Sequence, residues 1–297
     1  MNNLVTRNRP RLNKWIKRAW PSFTLPLVVL FLFYNRDIHP GYDISWWKLY
    51  KLARRLRRNG ESIKSGSSYR AHLAMAAKLL EISPTTEGVV VECGCFKGGS
   101  TANLSIICDF IGRDLIIYDS FEGLPSGETD DRYTRDAQGH FLGELETVSH
   151  NVEKFGVRQR CTFRKGWFID TLPNHSEPIA LMFLDVDYQA SIHDCLVNLW
   201  PHLIDEGYVF TDDYTYLDLC AVYFSEEFWQ REFGTNPPGL IGTGTGIAMG
   251  QFFVGPLVTM GGNRAYPLQA PASTAYTRKD YTGYWGYRRD NEGSSTL

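Results

Sequence analysis

Val89–Gly94 reads VVVECG and Leu115–Ser120 reads LIIYDS, with the helix-forming stretch ANLSIICDFIG between them. A β-branched run without polar alternation is the pattern of a strand covered on both faces. The rhythm then continues: LGELETVSHNVEKFG reads as helix, CTFRKG and ALMFLDVD as strands, SIHDCLVNLWPHL as helix and YVFTDD as strand. This alternation predicts an α/β fold, a doubly wound and mainly parallel sheet with helices on both faces. A helix over YRAHLAMAAKLLEI, capped by Ser67 or Ser68, comes before the first strand. Another is expected over LDLCAVYFSEEFWQREFG, and the glycine-rich IGTGTGIAMGQFFVGP is a place for late strands.

With 43% hydrophobic and 14% aromatic residues, the 297-residue chain can fill the core of one large α/β domain or two smaller ones. Its net charge of −2 argues against nucleic acid as the main partner. The six cysteines include no C-x-x-C pair, and several fall in apolar segments, so reduced thiols and a cytoplasmic location are expected. Cys93-x-Cys95 is too cramped for an ordinary zinc site.

Residues 1–66 read as an accessory arm and linker, 67–290 as the main domain and 291–297 as a frayed tail. The arm opens with Arg7, Arg9, Arg11, Lys14, Lys17 and Arg18, followed by the apolar run FTLPLVVLFLFY. That run is shorter than the ~20 residues needed to span a bilayer, Pro26 interrupts it, and no small-residue cleavage site follows. Two roles stay open. The run packs on the main domain or on a second subunit, making a homo-oligomer. Alternatively the arm rests on an anionic membrane surface, an attraction that the basic KLARRLRRNG would reinforce.

In open α/β sheets, ligands bind beyond the carboxyl ends of the strands, where strand order reverses. The first strand exits into ECGCFKGGS (Glu92–Ser100); Gly94 would let backbone approach a ligand, and Gly98-Gly99 would allow a tight entry into the helix. Asp119 ends the next strand, placed to accept both hydroxyls of a ribose. A glycine turn followed by an acid on the next strand suggests a nucleoside-containing cofactor. The spacing is not G-x-G-x-x-G, which disfavours a dinucleotide. The alternative is a tight strand–helix turn and nothing more.

Two later strand ends carry four acids: Asp185 and Asp187 in MFLDVDY, and Asp212 and Asp213 in YVFTDDY. Neighbouring strands lie about 4.8 Å apart. If these two are neighbours, Asp185, Asp212 and Asp213 converge on one cation, and hard oxygen ligands favour Mg²⁺ over zinc. The competing explanation is helix capping, a role that Asp187 before QASIHDCL suits. His140, in AQGHFLG, is a candidate general base or a merely exposed loop residue. Trp167 lines the cofactor pocket or fills core.

At VVVECGCFKGGS, YDSFEGLP, FRKGWFIDTLP, FLDVDYQAS and GYVFTDDY, spread over roughly residues 68–225 and in the expected order, the chain resembles the macrocin O-methyltransferase family. The resemblance implies a seven-stranded methyltransferase sheet with one antiparallel late strand, and S-adenosylmethionine as cofactor. It implies that Glu92, Gly94 and Ser100 surround the cofactor and that Asp119 with Ser120 holds its ribose. It also implies Asp185, Asp212 and Asp213 as magnesium ligands, and a family histidine at the place of His140. The expected reaction is Mg²⁺-dependent transfer of a methyl group to a hydroxyl on a sugar or glycosylated natural product. Two rivals stand against it. Asp185-Val186-Asp187 is also the D-x-D of metal-dependent glycosyltransferases. The basic arm, for its part, suits a non-catalytic membrane-associated protein on a methyltransferase fold.

Overall fold

The computed structural model describes residues 25–30, 32–33, 38–126, 138–212, 217–242 and 274–279. The basic N-terminal cluster, Asp213, most of the glycine-rich segment and the expected tail lie outside the described residues.

The sheet is built from β1 (Val89–Cys93), β2 (Leu115–Asp119), β3 (Cys161–Lys165), β4 (Ile179–Leu184), β5 (Leu203–Thr211), β6 (Ile241–Gly242) and β7 (Ala275–Arg278). Their order across the sheet is β3-β2-β1-β4-β5-β7-β6. The first five are parallel, and β7 runs antiparallel to both β5 and β6. The expected seven-stranded, mostly parallel sheet with one antiparallel late strand is therefore present. Strand order reverses between β1 and β4, so their carboxyl ends open a crevice there.

The strands sort their side chains by a period of two. Val90, Ile117, Leu181, Phe183 and Phe210 enter one hydrophobic cluster, while Val91, Ile116, Met182, Leu184 and Val209 enter the other. Three helices cover the first face: α1 (Trp46–Ser62), α2 (Tyr69–Leu79) and α3 (Gly99–Ile111), with α4 (Leu145–Phe155) beside α3. On the second face lie α5 (Phe168–Thr171), α6 (Gln189–Leu199), α7 (Leu217–Cys220) and α8 (Glu226–Phe233).

Ser68, not Ser67, caps α2, its hydroxyl accepting from the Arg70 N–H at 3.2 Å. The stretch expected as one helix over 217–234 is broken: a 3₁₀ turn follows α7, and Ser225 starts α8 afresh by accepting from the Phe228 N–H at 3.2 Å. Of the two late strands, β6 is formed by the first two residues of the glycine-rich run and β7 lies beyond it.

No break in the core falls at residue 66. Leu49, Leu52, Ala53 and Leu56 recur at helical spacing along α1, and all are buried in the cluster that holds α2 and α3. Leu25, Val28, Val29, Leu32 and Phe33 join the same cluster from the helical residues of 25–33. The packed alternative for the apolar run accordingly describes these residues. Among the described residues no helix is long and apolar enough to cross a membrane. All six cysteines are buried thiols.

Candidate active site

β1, β4 and β5 end side by side, and the backbone carries the ladder one residue beyond each strand. The Gly94 N–H donates to the Tyr118 carbonyl at 3.0 Å, Asp185 N–H to Cys93 at 3.0 Å and Asp212 N–H to Leu184 at 2.9 Å. Asp185 and Asp212 thus stand next to each other, as the neighbour-strand expectation required. They line a cleft of about 550 Å³ together with Gly94, Asp119 and Ser120.

The loop between β1 and α3 is shaped by three left-handed residues, Gly94 (φ 82°), Phe96 (φ 45°) and Gly98 (φ 78°). A β-carbon on Gly94 would fall onto the Asp185 carbonyl oxygen, so only glycine fits between the two strand ends. Asp119 holds this loop down. One carboxylate oxygen accepts from the Cys95 N–H at 2.7 Å and the other from the Phe121 N–H at 2.7 Å. Each oxygen keeps a further lone pair, so the side chain can still receive ribose hydroxyls from the cleft. Ser120 spends its hydroxyl on the turn that follows, donating to the Gly123 carbonyl and accepting from the Glu122 N–H, both at 3.1 Å.

Glu92 and Ser100 are not at the cleft surface. By the period of two, Glu92 points to the α3 face; it is wholly buried and neither carboxylate oxygen has a hydrogen-bond partner. Burial pushes its pKa up to about 7, against a smaller lowering by the nearby Ser100 and Thr101 hydroxyls. Glu92 therefore sits beneath the glycine loop, and the wall facing a ligand is Gly94.

Asp187 departs most from its expected role. The N-cap of α6 is Tyr188, not Asp187. Its backbone is instead left-handed (φ 60°), a costly conformation for a residue other than glycine, and it lines the cleft beside Asp185. His140 is exposed and is not among the cleft-lining residues. Its main chain is held to the cleft wall, its carbonyl accepting from the Leu124 N–H at 2.9 Å, while its neighbour Phe141 does line the cleft. Trp167 lines the cleft and is 38% exposed, so it is not core. With Phe141 (edge to face on Phe96, 5.6 Å between centroids) and Ile169, it makes an apolar mouth. Phe96 and Ser191, which fall within the sequence motifs but are not singled out by them, also line the cleft, as does Gly66, which carries no recognisable signal in the sequence.

Asp185 and Asp212 offer hard oxygen donors on adjacent strand ends, a donor set that fits Mg²⁺. Asp212 is buried, with the Thr274 hydroxyl donating to its Oδ1 at 2.5 Å. Among the described residues no three acidic, histidine or cysteine side chains form a metal cluster.

A doubly wound sheet with this strand order and one antiparallel strand is the architecture of the class I methyltransferases. The O-methyltransferase NovP shares it, with a TM-score of 0.55 over 87% of this chain and 99% of that one, at 20% identity. A model of the macrocin O-methyltransferase family matches residues 70–237, more than half of the chain, and the chain belongs to that family. Over 171 residues it is 33% identical to the 8-demethyl-8-(2,3-dimethoxy-alpha-L-rhamnosyl)-tetracenomycin-C 4'-O-methyltransferase of Streptomyces olivaceus, covering 54% of this chain and 64% of the relative. Over 170 residues it is 30% identical to the demethyldecarbamoylnovobiocin O-methyltransferase of Streptomyces niveus, covering 50% and 65%. The chain thus matches slightly under two thirds of the length of these relatives.

Proposed function

We propose that this chain transfers the methyl group of S-adenosylmethionine to a hydroxyl on a sugar or glycosylated natural product, with Mg²⁺ held at the acceptor. The observation that carries this is the joining of two half-sites in one cleft: Gly94, Asp119 and Ser120 on one side, and Asp185, Asp187 and Asp212 on the other. The names of the two relatives, one specifying a rhamnosyl group, support a glycoside as acceptor. So does the mouth, where Trp167 and Ile169 present apolar surface suited to an aglycone beside a polar floor.

When bound, S-adenosylmethionine supplies an electrophilic methyl group, and Mg²⁺ supplies polarisation of the acceptor hydroxyl. The remaining chemistry belongs to the chain. Asp119 orients the ribose while Ser120 holds the turn beside it, and Gly94 admits the cofactor against backbone. Asp185, Asp212 and Asp213 would hold the ion. Asp187 takes the proton from the hydroxyl; its strained backbone and place in the cleft favour it over the exposed His140. Incubation of the full chain with methyl-labelled S-adenosylmethionine and a panel of glycosides, with and without Mg²⁺, tests the proposal. Absence of cofactor binding by folded protein would overturn it.

α1 supports a peripheral partner as well. Its outward face carries Trp47 (64% exposed), Lys51, Arg54 and Arg58, all exposed, and the single acid of the helix, Glu61, is paired with Arg57 at 2.9 Å. Such a face suits an anionic lipid surface.

A further inference from the structure

The segment between α1 and α2, residues 63–68, reads as a plain polar linker, yet it forms part of the cleft. Gly66 lines it, and a β-carbon placed on Gly66 would lie 3.7 Å from Asp185 Oδ2. One residue earlier, Ser65 rests on the first turn of α3: a β-carbon on Gly99 would come within 2.7 Å of Ser65 Cβ. Gly99 is therefore glycine because the segment lies on it; it does not have the left-handed backbone of Gly98.

A buried hydrogen-bonded chain fastens this segment. Ser67 Oγ lies 2.9 Å from His72 Nε2, His72 Nδ1 lies 2.9 Å from Asn103 Nδ2, and Asn103 Oδ1 accepts from Asn59 Nδ2 at 3.1 Å. All four side chains are buried. The direction of the chain follows from its far end. Asn59 Nδ2 also donates to the Phe155 carbonyl at 3.0 Å, and Asn103 Nδ2 to the Leu56 carbonyl at 3.3 Å, so both amide orientations are fixed by main-chain acceptors. Asn103 then donates to His72 Nδ1, and the ring must carry its proton on Nε2 and donate it to Ser67. Burial holds the imidazole neutral, with a pKa down to about 3. The alternative tautomer would set two N–H groups against each other.

We infer that Ser67, His72, Asn103 and Asn59 form a latch that holds residues 64–66 as the cofactor wall between the glycine loop and Asp185. The inference rests on the proposed cofactor site and assigns positioning residues to it. The latch ties α1, α2 and α3 to the wall, and two of its members, Asn59 and Ser67, precede the region 70–237 matched by the family model. A chain trimmed to the family region would keep the glycine loop and the acids but lose the wall.

The test uses the full chain and S-adenosylhomocysteine as probe, with calorimetry for affinity and hydrogen exchange for the segment. His72→Gln keeps a donor near the Nε2 position, whereas His72→Asn reaches only Asn103, and Ser67→Ala removes the acceptor. Binding should weaken by roughly 10-fold in Ser67→Ala, which leaves the buried imidazole donor unpaired, and in His72→Asn, which takes that donor away from Ser67, while His72→Gln, which keeps a donor to Ser67, stays within about 3-fold of the parent. Amides 63–68 should exchange faster in the two weakened variants even without ligand. Should His72→Asn fail to fold, Ser67→Ala carries the same test with one oxygen removed. Unchanged affinity and exchange in Ser67→Ala would overturn the latch alone. A parent protein that binds no S-adenosylhomocysteine would overturn the cofactor site and the latch together.

Discussion

Gly94 and Asp185 meet main chain to main chain at the ends of adjacent strands, with no room for a single methyl group between them. The pair forms the hinge line of the cleft. The loop after β1 turns away on one side, and the acids after β4 begin on the other.

Gly94→Ala should therefore disable both half-sites at once. It must abandon a φ of 82° and push Asp185 aside, and the expected outcome is at least about 100-fold weaker S-adenosylhomocysteine binding together with a lowered Tm. Calorimetry and thermal melts on the same sample check it; parent-like affinity would show that the loop is only a turn.

Asp187→Asn removes the proposed proton acceptor and keeps the shape. A fall in kcat of roughly 100-fold or more at nearly constant KM is expected, whereas His140→Ala should cost less than about 5-fold. The reverse ranking in steady-state kinetics would return the base to His140.

Metal dependence is a separate question. Chelation of the parent protein should abolish methyl transfer and added Mg²⁺ restore it, and Asp212→Asn should need far more Mg²⁺ for what activity remains. Full activity in excess chelator would remove the ion from the proposal while leaving the cofactor half intact.

Glu92 makes stability depend on pH. Its pKa is about 7 in the folded chain against an ordinary 4.5, so the folded state holds its proton more tightly than the unfolded state. The stabilisation is complete below pH 4.5 and is lost as pH rises to about 7. Each pH unit of that window costs roughly 1.4 kcal/mol, on the order of 3 kcal/mol in all. Glu92→Gln should flatten the Tm-versus-pH curve of ligand-free protein between pH 5 and 7; an unchanged slope would assign the dependence elsewhere.

The outward face of α1 predicts retention on vesicles rich in anionic lipid at low salt. Charge reversal at Lys51, Arg54 and Arg58 should abolish that retention and leave methyl transfer unchanged. Equal sedimentation with neutral and anionic vesicles would show a merely solvated helix face.

Much of this architecture was legible in the chain. β1, β2 and β4 announce themselves by their apolar runs, as does the Tyr208–Phe210 end of β5, because a strand covered on both faces needs such a run, and Asp119, Asp185 and Asp212 at strand ends mark the open edge. β7 was missed: AYTR is four residues long and gains its place by pairing with β5, more than sixty positions away. α1 falls in the expected accessory arm because its cations outnumber its leucines, although Leu49, Leu52 and Leu56 keep helical spacing beneath them and are buried in the main core. Asp187 looked like a cap because capping is a local pattern, and only the backbone shows that α6 starts without it.

Local chemistry, then, settled the strands, the switch-point loop and the types of side chain available to the site, because apolar periodicity and glycine spacing act over a few residues. Which of those side chains face the cleft was decided by tertiary structure. Glu92 and Gly94 are two positions apart, yet the first is sealed under α3 within β1 and the second, just past the strand end, meets the ligand space. The difference comes from where the strand ends and the helix that follows covers it. The same holds for residues 63–68, a featureless linker along the chain. They become a wall of the site because His72 and Asn103, packed from two other helices, hold Ser67 in place.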